Sequence, residues 1–421
     1  RGLEATNAAL VRVKDGAWAI RNDRLRTAVE VEALAGPSAE PAALAGYLSI
    51  QQALSALDRL EVRGRDSAGL HVLVTDHGLD LDSAAVRDLL ADRADDPLFT
   101  SGAVRTPDGA LAFVYKAAAE IGELGDNTAA LRAAIASDAL LEMALDNATA
   151  RTLVTGHTRW ASVGIISQAN AHPLDSLELE DTGGKPYVSA SLNGDVDNFA
   201  DLKASEGLRI APEITTDAKV IPTLVSRHLA SGTDLADAFR TTVAALDGSV
   251  AIAASSAAEP DRLCLALRGS GQALYVGLAD DAFIAASEPY GVIEEADLYL
   301  RMDGETPSDP DNPVGSRGQI VVLDADDAGQ LAGLRRISYD GTPLPVDADE
   351  LATAGITTRD IDRGDHPHFL LKEISEAPAS FRTTLRGKLV TDAEGRLAVS
   401  LPDSTLPPDV RADLASGGIA Q

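Results

Sequence analysis

Between residues 155 and 173 the chain reads TGHTRWASVGIISQANAHP. Arg159, Trp160, Ser162 and His172 fall together there, with no helical or strand period after Ala161. Polar, glycine-bearing loops make poor core and are where sites are usually built. Three further segments carry chemistry of the same kind: RGRDSAG (63–69) with Arg63, LNGDVDN (192–198) with Asn193 and Gly194, and TDAKVI (216–221) with Asp217. An arginine presents a planar fork suited to a carboxylate. An aspartate accepts from an ammonium. A side-chain amide and the backbone N–H after it, at a strand end, can aim at one oxygen. Each residue also has a plainer reading. Asn-Gly is a common turn, and Asp217 suits the first turn of a helix. Arg159 alone would form a surface ion pair, Trp160 would anchor a core or an interface, and His172 would be structural. Arg63 would be a buried arginine bridging carbonyls.

Elements that could hold these residues follow from periodicity. Leu48, Ala53, Leu54, Leu57 and Leu60 mark an amphipathic helix, and SAGLHVLVT (67–75) a strand leaving it. Residues 1–45 alternate short helical and extended pieces and end in the turn-like AGPSAEP. Residues 77–110 are acidic and turn-rich, 77–150 are expected to be an insertion, and 1–45 and 77–150 are both expected to be surface elements that shape an assembly interface. TAALRAAIASDALLEMAL (128–145) is expected to be one Ala/Leu helix. Residues 150–157 and 188–192 read as strands that deliver the polar loop and Asn193-Gly194. Helices are expected over 217–229 and 234–246, each opening with Thr/Asp capping. From 249 the period changes to strands: SVAIAAS, RLCLALR, ALYVGL, DAFIAAS, DLYLRM and QIVVLD. Residues 303–317 form a loop. Beyond 324 come a polar linker and an amphipathic helix within LLKEISEAPASFRTTLRGKL. Separate blocks of helices and hairpin-linked strands favour a layered α+β domain over a doubly wound sheet.

The chain has 421 residues, 45% of them hydrophobic, which suffices for a sizeable core. Its net charge of −29 argues against nucleic acid or an anionic membrane as a partner. No apolar run is long enough to span a bilayer, the start lacks a signal-peptide core, and a soluble cytoplasmic protein is expected. The single cysteine excludes intrachain disulfides and Cys-based zinc sites. His366 and His368 are read as solvated, so neither a metal nor any other cofactor is expected.

Taken in order, the motifs resemble the class II glutamine amidotransferases, the N-terminal-nucleophile glutaminase family. They are most like the glutaminase half of the glutamine–fructose-6-phosphate aminotransferases, also called glucosamine-6-phosphate synthases. The matching pieces are RLEVRGRDSAG (59–69), GHTRWASVG (156–164), NAHP (170–173), NGDVDN (193–198), TDAKVI (216–221), GSVAIA (248–253) and HFLLKEISEAP (368–378). The resemblance implies a four-layer αββα sandwich of two antiparallel sheets over 46–335, with residues 1–45 an N-terminal extension or insertion. Residues 336–421 would then lead, through a linker helix, toward a sugar-isomerase region. It implies L-glutamine as substrate, hydrolysed to glutamate, with ammonia passed to a sugar-phosphate site in a further domain or partner chain, in a homo-oligomer. It assigns Asn193 and Gly194 to the oxyanion hole, Arg159 to the glutamine carboxylate and Asp217 to its α-amine. Trp160 would gate an ammonia passage, Ser162 and His172 would line the glutamine pocket, and Arg63 would support the nucleophile loop.

The chain departs from the pattern at the nucleophile. Relatives open with Cys-Gly-Ile on a central strand, about two dozen residues before the arginine matched by Arg63. Here that distance leads to AGPSAEP, which has no cysteine, and residue 1 is Arg. Cys264 lies in alternating RLCLALR and is read as packing. Three readings stay open: an upstream strand carries the cysteine, a processed piece carries it, or the domain binds glutamine without turnover. The first is adopted as the expectation. No Ser/Thr-rich phosphate loop of the sugar-isomerase type follows Leu389.

Overall fold

The computed structural model describes residues 2–37, 39–118, 123–179, 184–391 and 394–418. Two compact units result, 1–360 and 361–421.

The first unit carries nine helices of two turns or more among its described residues. These are α1 (Gly2–Trp18), α2 (Leu25–Ala35), α3 (Pro41–Leu60), α4 (Ala84–Leu90), α5 (Asp126–Ala136), α6 (Ala139–Leu145), α7 (Phe199–Ser205), α8 (Val220–Ala230) and α9 (Leu235–Ala244). Its three sheets are antiparallel. The largest has the order β13-β12-β8-β7-β6-β5, with β5 Leu174–Asp175, β6 Val188–Gly194, β7 Val250–Ser256, β8 Arg262–Arg268, β12 Gln319–Asp324 and β13 Leu334–Ser338. The second has the order β2-β3-β1-β4, from β1 Ser67–Thr75, β2 Val104–Arg105, β3 Leu111–Ala118 and β4 Arg151–Arg159. The third has the order β10-β9-β11-β14, from β9 Tyr275–Leu278, β10 Phe283–Ala286, β11 Leu298–Arg301 and β14 Ala352–Thr353.

Alternation along β7 and β8 sorts the layers. Val250, Ile252, Ala254, Cys264 and Ala266 join Leu224, Leu235, Phe239 and Val243 in one core, so α8 and α9 cover that face. Ala251, Leu265 and Leu267 face the opposite way, onto Leu274 and onto Val276 and Leu300 of the third sheet. The second sheet packs on the same side, where Leu73, Ala112 and Val114 meet Tyr187 and Ala257. Its far face buries Leu70, Val72 and Phe113 under α2, α3, α5 and α6. The unit is therefore an αββα sandwich in which one inner layer is a single sheet and the other is two sheets side by side.

Several expectations need correction. Residues 2–35 are helical throughout, with a π-helical segment at Ala19–Arg24, and are not alternating extended pieces. They are no appendage: Arg26 and Arg59 both pair with Glu294, and Thr358 donates to Asp23 at 2.6 Å. Residues 77–150 are not a surface insertion, because β3 pairs with β1 along eight residues and Phe99, Val104 and Phe113 are buried. The expected helix over 128–145 breaks at Ser137-Asp138. Asp138 caps the second piece, accepting from Leu140 and Leu141 N–H, and is held by Arg93 and Tyr115. Asp234 caps α9 as expected, but Thr216 makes no cap bond at 217. The first unit also runs past 335, since β13 and β14 complete its sheets.

The second unit holds a helix over Phe369–Leu385, a short hairpin of Leu389–Thr391 with Leu397–Val399, and a helix over Pro408–Ser416. No helix among the described residues is long and apolar enough to cross a membrane.

Candidate active site

One cavity of about 930 Å³ lies in the inner double layer of the first unit. Arg63, Arg159, Trp160, Ser162, His172, Asn193, Gly194 and Asp217 all line it. Residues as far apart in sequence as Arg63 and Asp217 thus share one space.

Strand β4 delivers Arg159 as its last residue, two residues beyond the end expected from sequence. Its guanidinium is buried and donates to the carbonyls of Val163 and Ile165, which closes the following loop on itself. Burial pulls this guanidinium below its ordinary range, opposed by Asp217 and Asp66. Asp66 anchors the loop root: its N–H donates to Arg159 O at 3.0 Å, and its carboxylate accepts from Ala161 N at 2.8 Å. Ser162 Oγ donates to Asp195 Oδ1 at 2.9 Å. Trp160 stands at the cavity mouth, 77% exposed, so it is not a core anchor.

Asn193 and Gly194 end β6 opposite Ala251 and Val250. They form a paired rung, which overturns the hairpin-turn alternative. A side chain at Gly194 would meet the Ser249 carbonyl at 2.0 Å with φ at +112°, so only glycine fits. The Asn193 carboxamide is exposed and has no side-chain partner among the described residues.

Asp217 is buried at the start of a short 3₁₀ turn. Its Oδ2 accepts from Val196 N at 2.7 Å, and its Oδ1 from Thr216 Oγ1 at 3.3 Å. Burial raises its pKa, the Val196 bond lowers it, and Asp195 raises it again. Bound cationic nitrogen would relieve that strain on the charged form.

His172 is buried, with Nδ1 3.0 Å from Leu192 O and Nε2 3.3 Å from Thr216 Oγ1. Its ring lies 4.7 Å from that of His157. Burial depresses both imidazoles, His157 to about 4, so both are neutral near pH 7. The His172-Pro173 bond is cis. Strand β1 runs against it so closely that a side chain at Gly69 would meet His172 O at 2.2 Å.

Arg63 departs from the alternative of a buried arginine bridging carbonyls. Its side chain is 63% exposed and pairs with Glu288, linking the end of α3 to the strand β10 region. Cys264 is fully buried on the helix-facing side of β8, and burial pushes its thiol up to about 12. It does not line the cavity, whereas its neighbours Leu263 and Leu265 do. No group of three or more metal-binding side chains occurs among the described residues.

Sequence reasoning missed Asn170. This buried side chain accepts from Thr215 N (2.7 Å) and Thr216 N (2.9 Å) and donates to Glu213 O (3.2 Å). It staples the 167–173 turn to the segment that carries Asp217. Its signal lay inside the NAHP motif, where it served as a landmark only.

No protein-family profile matches the chain. Among curated proteins, the glutamine–fructose-6-phosphate aminotransferase of Halalkalibacterium halodurans is 29% identical over 279 residues, covering 66% of this chain and 41% of that protein. That of Methanothermobacter thermautotrophicus is 29% identical over 237 residues, covering 56% of this chain and 34% of its own length. The chain is similar to these glutamine–fructose-6-phosphate aminotransferases. It spans less than half the length of these curated aminotransferases. A solved glutamine phosphoribosylpyrophosphate amidotransferase from B. subtilis aligns over 69% of the chain at 17% identity and a TM-score of 0.41, too remote to bear on the site.

Proposed function

We propose that this chain forms the glutamine-hydrolysing part of an amidotransferase of the hexosamine type. The observation that carries the reading is the convergence of a buried guanidinium, a buried carboxylate and an unpartnered carboxamide on one cavity. Arg159 would hold the glutamine α-carboxylate and Asp217 its α-ammonium, with Ser162 and His172 shaping the pocket. A thiolate supplied from outside residues 1–421 would attack the side-chain amide carbon. The oxyanion would take hydrogen bonds from Asn193 Nδ2 and Gly194 N–H, as in other preorganised oxyanion holes. Collapse expels the amide nitrogen as ammonia once protonated and leaves a thioester. Water then attacks that thioester, releasing glutamate and restoring the thiol. Trp160 at the mouth would gate the ammonia, which would pass to a sugar-phosphate site in a further domain or partner chain.

Cys264 cannot serve as the thiol, being sealed on the opposite face of its sheet with its pKa raised. That observation favours a second reading for the 421-residue chain alone: it binds glutamine without turnover. Calorimetry with L-glutamine tests the pocket, and glutamate release tests turnover. Binding that survives Arg159→Ala and Asp217→Asn unchanged would overturn both readings.

A further inference from the structure

A second recess in the first unit, of about 430 Å³, shares no lining residue with the cavity at Arg159. Lys14, Ala17, Trp18, Arg21, Asn22 and Arg359 line it. The first five follow one another at steps of three, one, three and one, the spacing of a single helix face. A helix that docks by packing puts apolar side chains on such a face. Here the face carries two cations, an amide and an indole. Arg21 and Asn22 sit in the π-helical segment Ala19–Arg24, and π-turns inside α-helices recur at functional sites. The next two arginines are engaged elsewhere, Arg24 with Glu295 and Arg26 with Glu294. Asp23 accepts from Thr358, which brings the neighbouring Arg359 to the recess.

Lys14 and Arg21 have no carboxylate partner among the described residues, in a chain whose net charge is −29. Arg359 faces Asp15 at 2.9 Å. Three cations and this one carboxylate leave two positive charges at the recess. Trp18 is half-buried, and its Nε1 is buried without a hydrogen-bond partner. An indole N–H can only donate, so a buried one calls for an acceptor. Neither Lys14 nor Arg21 stacks on the ring, since the cation–π pairs among the described residues lie elsewhere. The two guanidinium forks suit an oxyanion, the lysine adds a point charge, and Asn22 adds a further donor. Magnitude selects among oxyanions. A carboxylate brings one charge and leaves a cation unanswered. A phosphate group brings about −1.5 to −2 near neutral pH, with three acceptor oxygens. The volume falls in the range of ligand pockets, roughly 300–1,000 Å³, and leaves room beside a phosphate for a small organic group.

We propose that this recess binds a dianionic phosphate group, free or esterified to a small organic molecule. Its oxygens accept from Trp18 Nε1 and Asn22 Nδ2, and Lys14, Arg21 and Arg359 answer its charge. The first helical stretch supplies all of these groups but Arg359, which comes from the end of the same unit. The bound phosphate therefore cross-links the beginning and the end of the first unit. Nothing in this site rests on the glutamine reading.

The test uses the 421-residue chain with Trp160→Phe, which leaves Trp18 as the sole indole. Its emission is followed against inorganic phosphate, glycerol 1-phosphate, phosphatidic-acid vesicles and, at equal ionic strength, sodium chloride. The expected result is a saturable change with soluble phosphate, half-complete at about 1 mM or below, and none with chloride. At saturation the melting temperature should rise by about 2 °C. Lys14→Gln and Arg21→Gln alter exposed side chains. Each should weaken binding about tenfold and leave the melting temperature of the unliganded chain unchanged. Binding of inorganic phosphate at least as tight as that of glycerol 1-phosphate assigns the site to the free ion. Tighter binding of glycerol 1-phosphate assigns it to an ester, and either result sustains the proposal. Absence of saturation by about 20 mM of both soluble probes overturns it. So does a chloride response of equal size, or an unchanged response in the Lys14→Gln/Arg21→Gln double variant. A response to vesicles alone also overturns it, because the face would then be a membrane contact.

Discussion

The two inner layers of the first unit are built from similar alanine- and valine-rich strands, yet they behave differently. The six-stranded layer is continuous, and β6, β7, β8 and β12 each have a partner on both sides. The layer opposite is divided, and along β4 only Arg159 is buried. Side chains in the first layer do packing work. In the second, the division opens the space that gathers the site residues. A protein can hold a polar cleft between sheets only if something else supplies its stability, and here the continuous sheet with α8 and α9 does so.

Four measurements would break or sharpen this contrast. The largest effect is expected from Gly194→Ala, where the continuous sheet meets the cleft. A methyl 2.0 Å from a carbonyl oxygen, at positive φ, has no room within a paired rung. A loss of about 4 kcal/mol or failure to fold is expected, read by denaturant titration. An unchanged midpoint would mean the rung is not as rigid as the pairing implies.

Next comes a matched pair of truncations. Ile320→Ala, fully buried in the continuous layer, should cost about 3 kcal/mol. Val154→Ala, half-buried on the open edge, should cost less than about 1 kcal/mol. Equal costs would erase the distinction between the layers.

A smaller effect concerns pH. Burial depresses the pKa of His71 to about 3, and its Nε2 lies 2.8 Å from Tyr187 Oη between the layers. The unfolded chain therefore binds a proton that the folded chain refuses. That contribution to stability is complete above about pH 6.5 and declines as pH falls toward about 3. His157 and His172 act in the same direction. His71→Gln should flatten part of the fall in melting temperature between pH 6.5 and 4; an unaltered slope would exclude it as a contributor.

The smallest effect is expected from Arg63→Ala. Its pair with Glu288 is largely exposed, so stability should change by less than about 1 kcal/mol. If the pair aligns β4 with β10, hydrogen exchange on β10 should nevertheless quicken. No change there would confine Arg63 to the surface.

Much of the architecture was readable because its cause is local. Strand alternation from Val250 to Asp324, the helix ending at Leu60 and strand 67–75 depend on neighbouring residues alone. Strand β3 escaped notice because LAFVYKAA is buried on both faces and shows no alternation. The break at Asp138 was hidden because its cause, Arg93 and Tyr115, lies elsewhere in the chain. Asn170 was visible as a letter in a motif, but its role depends on amides more than 40 residues away.

The residue types and their order pointed, without any coordinates, to the polar side chains proposed to recognise an amino acid, since the chemistry of each functional group is its own. They also showed that the lone cysteine sits in an alternating apolar strand. Convergence of those side chains, the neutral state of the two histidines and the gap between β4 and β10 were decided by tertiary structure. Each depends on which distant strands end up side by side, and strand pairing is a property of the whole fold.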